Sequence, residues 1–344
     1  MVAFRVDAND TIASGHIMRC IAVARKLIQM GQECVFFVSD TFALELIQLQ
    51  GITYECLNVD WKKSYSELPI VEKSCKKYKV DVLVVDSYEV DSFYLEGLHK
   101  FVKVVYIDDL IKINAKIDLL INYTRKLPSN IYEFYYNNGI RVLLGSKYTP
   151  LRDEFDGNLI NINEEVSNIF ITTGGSDSRH FIQHFLQNII YEYNYNNLQF
   201  HIIVGSLFDD KDVLEKLAAN ASNIHLYQNI KFMSKVMRKC DIAISTGGTT
   251  LAELCSCGIP TICFAISDNQ EDSVSQYHKD EIMYSIGSIE EDIETFICRA
   301  KESMELFVNS YDIRKKYAEN ARKVIDGKGT FRIAKEIIQL IKAI

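Results

Sequence analysis

The chain is 344 residues long and 48% hydrophobic, enough apolar material for two cores of ordinary size, because single cores stop growing near ~250–300 residues. Its formal net charge of -8 argues against a nucleic-acid partner, whose binding rests on clustered Lys and Arg neutralising backbone phosphates, and leaves open a small anionic ligand held at one local site. The longest apolar runs, 82–85 and 259–266, are strand-sized and far short of the roughly 20 residues of a membrane helix, so no stable membrane association is expected.

In chain order, the opening MVAFRVD reads as a strand and carries neither the basic region nor the long apolar segment of a signal peptide. A cytoplasmic location follows as the expectation. Short apolar runs then alternate with amphipathic stretches, the pattern of βα units building a parallel sheet. Strands are expected at Val2–Val6, Cys34–Val38, Thr53–Cys56, Val82–Asp86, 103–108, Leu119–Asn122 and Arg141–Leu144, with helices at 16–30, 42–50 and 64–77 among them. After the polar segment 155–165 the alternation restarts, with strands at 167–172, 201–204, Ile224–Tyr227, 242–245 and 260–264. From residue 289 onward three helical stretches and no strand are expected, the last being 331–344 with an apolar stripe at Ile333, Ile337, Ile338, Leu340 and Ile341. The division is therefore 1–155, 156–330 and a C-terminal helix at 331–344. Nine cysteines occur without a Cys-x-x-Cys pair, and Cys20, Cys34, Cys240 and Cys263 lie in apolar contexts, as buried free thiols do in a reducing compartment.

Ligands of open α/β sheets bind beyond the carboxyl ends of the strands, which singles out four places. In the first, a polar loop follows the opening strand from Asp7, and Gly15-His16 opens a helix that also carries Arg19. A His at a helix N-terminus meets the positive end of the dipole, which disfavours the imidazolium and keeps a neutral ring available as a base. No G-x-G-x-x-G follows this strand, which weighs against a dehydrogenase. The second place is the glycine turn Gly174-Gly175-Ser176-Asp177, where the backbone can approach a ligand closely. The third is a strand, a Gly247-Gly248 turn and a helix beginning near Thr249-Thr250. Free N–H groups and hydroxyls there suit a phosphate group, and Glu253, one turn on, suits ribose hydroxyls. The fourth is 267–271, where Asn269 and Gln270 offer amides to a neutral sugar. Asp108-Asp109 and Asp209-Asp210 are read as loop or first-turn residues, and the stretch YEYNY at 191–195 as a helix end and loop.

The third place, with Gly174-Gly175, resembles the C-terminal domain of GT-B glycosyltransferases. It is especially similar to the enzymes adding N-acetylglucosamine to the lipid-linked peptidoglycan precursor, with their Gly-x-x-Thr-x-x-Glu, Gly-x-Pro and a later Gln, here Gly247, Thr250, Glu253, Gly258-Ile259-Pro260 and Gln270. Over about residues 2–335 the chain further resembles the UDP-2,4-diacetamido-2,4,6-trideoxy-β-L-altropyranose hydrolases of pseudaminic acid biosynthesis. The shared motifs are Arg5-Val6-Asp7, Gly15-His16-Ile17-Met18-Arg19, Asp86-Ser87-Tyr88, Gly145/Tyr148/Arg152/Phe155, Gly174-Gly175-Ser176-Asp177, Asn269-Gln270-Glu271 and 325–329 followed by Arg332. His180 stands where members of the family tend to carry Asn.

The resemblance implies an α/β, GT-B-like fold of two Rossmann-like domains facing a cleft, with a helical C-terminal segment. It implies His16 as general base, Tyr88 and Asn269 against the sugar near the reacting carbon, Glu253 on the ribose, and Gly248, Thr249 and Thr250 on the diphosphate. Asp7, Gly15, Arg19, Gly174, Gly175, His180, Gly247 and Gln270 complete the expected set of substrate and UDP contacts. The expected partner is a UDP-sugar and the expected reaction an inverting, metal-independent hydrolysis without cofactor. A UDP-dependent glycosyltransferase and a non-catalytic UDP-sugar-binding protein are the rival readings.

Overall fold

The structure, a computed structural model, describes residues 1–7, 15–41, 44–108, 113–125, 127, 130–157, 159–190, 195–289 and 292–343, and the backbone alone of 189, 190 and 269. The expected polar loop 8–14, Asp109 and residues 191–194 of the tyrosine-rich stretch lie outside the described residues, as do the first two residues of the expected helix 42–50. Two compact units divide the chain, 1–153 with 327–344 and 154–326.

The first unit is a seven-stranded parallel sheet. Its elements run β1 (Val2–Val6), α1 (Gly15–Gln29), β2 (Cys34–Val38), α2 (Leu44–Gln48), β3 (Thr53–Cys56), α3 (Ser64–Tyr78), β4 (Val82–Asp86), α4 (Ser92–His99), β5 (Lys103–Ile107), β6 (Leu119–Asn122), α5 (Glu133–Asn137) and β7 (Arg141–Leu144). The spatial order is β3-β2-β1-β4-β5-β6-β7, so the winding reverses between β1 and β4. Both faces are apolar because both are covered. Val2, Phe4, Val6, Val82 and Val84 share one core with Ile17, Cys20 and Leu27 of α1. Ala3, Leu83 and Val85 share the other with Val71 of α3 and Leu95 and Leu98 of α4. Period-two alternation then puts Asp86 on the α1 face, in line with Val82 and Val84.

The second unit holds β8 (Asn168–Thr172), α6 (Phe181–Phe185), β9 (Gln199–Ile203), α7 (Lys211–Ala219), β10 (Ile224–Tyr227), α8 (Met233–Met237), β11 (Ile242–Thr246), α9 (Thr250–Cys257), β12 (Thr261–Ala265), α10 (Asp268–Lys279), β13 (Tyr284–Ser288), α11 (Ile293–Asn309) and α12 (Tyr311–Val324). Its parallel sheet is ordered β10-β9-β8-β11-β12-β13, the same winding with its reversal between β8 and β11. Ile169, Ile171, Ile244 and Phe264 pack there against Phe181, Phe296 and Phe307.

Two features depart from the sequence expectations. β13, a half-buried edge strand of sequence YSIGS, was not expected, because Gly and Ser supply neither β-propensity nor an apolar run. The helix expected to stand by itself at 331–344 is α13 (Gly329–Lys342), and it belongs to the first unit. Its stripe Ile333, Ala334 and Ile337 completes the core beside α1, and a Cβ on Gly329 would stand 2.1 Å from the Thr149 carbonyl oxygen, so only Gly fits that approach. Among the described residues no helix is long and apolar enough to cross a membrane. All nine cysteines are free and seven are buried.

Candidate active site

The reversal between β1 and β4 opens a crevice at the carboxyl ends of those strands, and Asp86, the last residue of β4, sits there 1% exposed. Facing it is one side of α1, where His16, Arg19 and Cys20 are spaced i, i+3 and i+4 and so project together. His16 Nδ1 lies 2.5 Å from Asp86 Oδ1, Arg19 Nε donates to Asp86 Oδ2 at 2.5 Å, and the Cys20 thiol donates to the same oxygen at 3.3 Å. Arg19 Nη1 reaches the Tyr123 hydroxyl. Burial opposes ionisation of Asp86, but the Arg19 guanidinium and the His16 ring outweigh it and hold the carboxyl well below its usual range.

That ionised carboxylate fixes the histidine tautomer. Arg19 Nη2 also comes within 3.1 Å of Nδ1, but a guanidinium only donates, and the nearer carboxylate requires a proton on Nδ1. Nε2 then carries the lone pair. Among the described residues this buried atom has no hydrogen-bond partner, while the His16 ring stands edge-on to Tyr88 with centroids 4.4 Å apart. An Asp-oriented imidazole with an open Nε2 is the arrangement of a general base.

Asp7 lies beside this centre, directly after β1 in the chain. Arg5 Nη1 donates to Asp7 Oδ1 at 2.6 Å, and its remaining nitrogens grip both Glu67 oxygens at 2.7 and 2.9 Å. Asp7 Oδ2 is buried with no partner among the described residues. Gly15 opens α1, and a Cβ there would meet nothing within 4 Å.

At the reversal of the second sheet the materials differ. Gly174 has φ +88°, which favours glycine, and its amide donates to Thr172 Oγ1 at 3.1 Å. Gly205, just past β9, abuts this turn so closely that a Cβ would stand 2.3 Å from the Gly175 oxygen and 2.5 Å from that of Gly174. Across the reversal, a Cβ on Gly247 would meet Val274 at 2.7 Å and Gln270 at 2.9 Å, whereas on Gly248 it would meet nothing within 4 Å. Gly248 and Thr249 are exposed at the head of α9, with Thr250 half-buried, and the first N–H groups of a helix lack acceptors within it. Glu253 follows one turn along, half-buried.

Gln270, expected to meet a ligand, has its Oε1 accepting from the amides of Gly247 and Ile266, both at 3.2 Å, and so ties two strand-end turns together. Asn269 lies in the first turn of α10, and its side chain is outside the described ones. His180 has φ +50°, and its Nδ1 faces Asp210 Oδ2 at 3.4 Å and Asp209 Oδ1 at 3.8 Å. Sequence reasoning gave no role to Asp86 as the partner of His16, nor to Gly205. The strand's alternation could have found the first, and a lone glycine carries no signal for the second.

The fold is GT-B-like: α/β, with two Rossmann-type parallel sheets and a helical C-terminal segment. Residues 168–285 match the glycosyltransferase family 28 C-terminal domain. The solved structure of Acinetobacter baumannii MurG covers 98% of this chain and 99% of its own, with a TM-score of 0.69 at 14% identity. Among sequence relatives, the UDP-2,4-diacetamido-2,4,6-trideoxy-β-L-altropyranose hydrolase of Campylobacter jejuni is 25% identical over 278 residues, 80% of this chain and 94% of that protein. The protein MJ1062 of Methanocaldococcus jannaschii is 24% identical over 293 residues, 81% of this chain but only 58% of MJ1062, so the chain spans less than two thirds of that relative.

Proposed function

We propose that the protein hydrolyses the anomeric C–O bond of a UDP-linked 2,4-diacetamido-2,4,6-trideoxy sugar, releasing free sugar and UDP for surface-glycan biosynthesis of the pseudaminic acid type. The observation that carries this reading is the His16–Asp86 pair with its open Nε2, supported by the hydrolase relative and the family 28 match. Nε2 takes a proton from water as the water oxygen bonds to the anomeric carbon. The bond from that carbon to the diphosphate oxygen breaks, and its electron pair leaves on UDP. Direct displacement inverts the configuration.

Ordinary glycosidases need a carboxylic acid to protonate a poor leaving group. Diphosphate leaves as a stable anion, so N–H groups at a helix head can stabilise it electrostatically. In this reading the amides of Gly248, Thr249 and Thr250 hold the diphosphate and Glu253 the ribose, while Tyr88 and Asn269 contact the sugar.

One observation favours a second reading, glycosyl transfer to a hydroxyl acceptor: a cavity of about 550 Å³ lined by Lys62, Lys63, Tyr65, Tyr88, Glu89 and Asp91 offers space beside Tyr88 for such a group. A panel of UDP-sugars incubated with the purified protein, without acceptor, separates the two. Hydrolysis releases UDP and, in ¹⁸O water, puts the label on the sugar's anomeric carbon. UDP release only after an acceptor is added means transfer, and label in UDP means attack on phosphorus, which overturns the mechanism.

A further inference from the structure

We propose that His180, Asp209 and Asp210 form a binding site for one divalent transition-metal cation at the carboxyl edge of the second sheet. β8 and β9 are adjacent parallel strands, so the segments that leave their carboxyl ends meet. Gly205 packs on the Gly174-Gly175 turn, and the Leu207 amide donates to the Gly175 oxygen at 3.0 Å. That contact brings Asp209 and Asp210, at the end of one segment, to His180 at the end of the other. One ligand atom from each of the three lies within 4.8 Å of the other two.

The separations suit a shared ion. With metal bonds of about 2.0–2.2 Å, neighbouring ligands of a tetrahedral or octahedral centre stand roughly 3.0–3.5 Å apart. The 3.4 and 3.8 Å from His180 Nδ1 to Asp210 and Asp209 close to that range with small side-chain rotations.

The independent sign of a ligand is Asp210 itself. It is 7% exposed and its Oδ1 is buried with no hydrogen-bond partner among the described residues. It stands at the N-cap position of α7, yet its carboxylate takes no capping hydrogen bond from the helix and turns its Oδ2 to His180 instead. By contrast, Asp177 in the same region has both oxygens occupied by the amides of Phe181 and Ile182. Lys211, next in the chain, donates to the Ser206 carbonyl at 2.7 Å. The Asp209 side chain is 80% exposed and that of His180 43%, which leaves a way in from solvent. One imidazole nitrogen with two carboxylate oxygens suits Zn²⁺, Mn²⁺ or Co²⁺ better than an all-oxygen cation such as Ca²⁺.

The test uses untagged full-length protein stripped with chelator. Zn²⁺ is titrated by calorimetry and Mn²⁺ by electron paramagnetic resonance, with no nucleotide present. The expected result is one equivalent bound, with affinity lowered at least ~10-fold in both Asp210→Asn and His180→Gln, and a metal-dependent rise in thermal midpoint that both variants lose. His180→Gln, at a half-exposed side chain, carries the test if Asp210→Asn fails to fold. No saturable binding, or binding unchanged in the variants, overturns the proposal. Because the metal alone is the readout, either result leaves the proposed sugar chemistry untouched.

Discussion

The two sheets wind in the same order and reverse between equivalent strands, β1 and β4 in one and β8 and β11 in the other. The crevices they create are furnished with opposite materials. The first is lined by ionisable side chains, His16, Asp86 and Arg19, held in a buried network in which each charge fixes the next. The second is lined by glycines and hydroxyls, Gly174, Gly175, Gly247, Gly248, Thr249 and Thr250. In the proposed reading, one topology serves proton transfer in the first crevice and anion binding in the second, and the residues at the strand ends and helix heads decide which.

The largest expected effect breaks the first crevice. His16→Ala should lower turnover ~10²–10⁴-fold, the usual worth of a general base, while UDP affinity by calorimetry stays near that of the parent. Turnover within a factor of about three would remove His16 from the chemistry.

Next comes Asp86→Asn, which takes from the half-buried Arg19 guanidinium its carboxylate and loosens the His16 tautomer. Breaking such a pair costs about 3–5 kcal/mol, measurable by urea unfolding. The Asp86 carboxyl is depressed in the folded protein, so its stabilisation is complete above the unfolded value near ~3.9 and is lost as pH falls below that. The stability gap between parent and variant should therefore stay constant from about pH 5 to pH 8 and narrow below about pH 4.

The smallest effects sharpen the second crevice by separating two kinds of glycine. Gly205→Ala must displace backbone oxygens at 2.3 and 2.5 Å, for a loss of about 1–3 kcal/mol, and UDP binding should weaken with it. Gly248→Ala meets nothing within 4 Å and should leave stability within about 0.5 kcal/mol, so any fall in UDP affinity there reports on the ligand. Equal destabilisation by the two would erase the distinction.

The inner strands of the first sheet were legible because covered parallel strands read as β-branched and apolar runs, as in the VLVVD of β4. β13 was not, since an edge strand of Ser and Gly leaves no such trace. His16 was legible from its place after a strand and at a helix start. Its partner Asp86 stood in a quoted motif without a role, because the pairing depends on strand parity meeting helix spacing across 70 residues. The tie from Gln270 to two backbone amides was hidden for a related reason, since an amide that serves a ligand and one that serves the backbone are spelled alike.

The first unit is discontinuous: after 1–153 the chain builds all of 154–326 before α13 returns to complete the core beside α1. On the ribosome, where domains tend to fold as units in order of emergence, the second unit can therefore finish first although it is made later. Until α13 is released, the apolar faces of α1 that await Ile333 and Ile337 are left without their cover, a window in which a chaperone would find its binding site on the nascent chain.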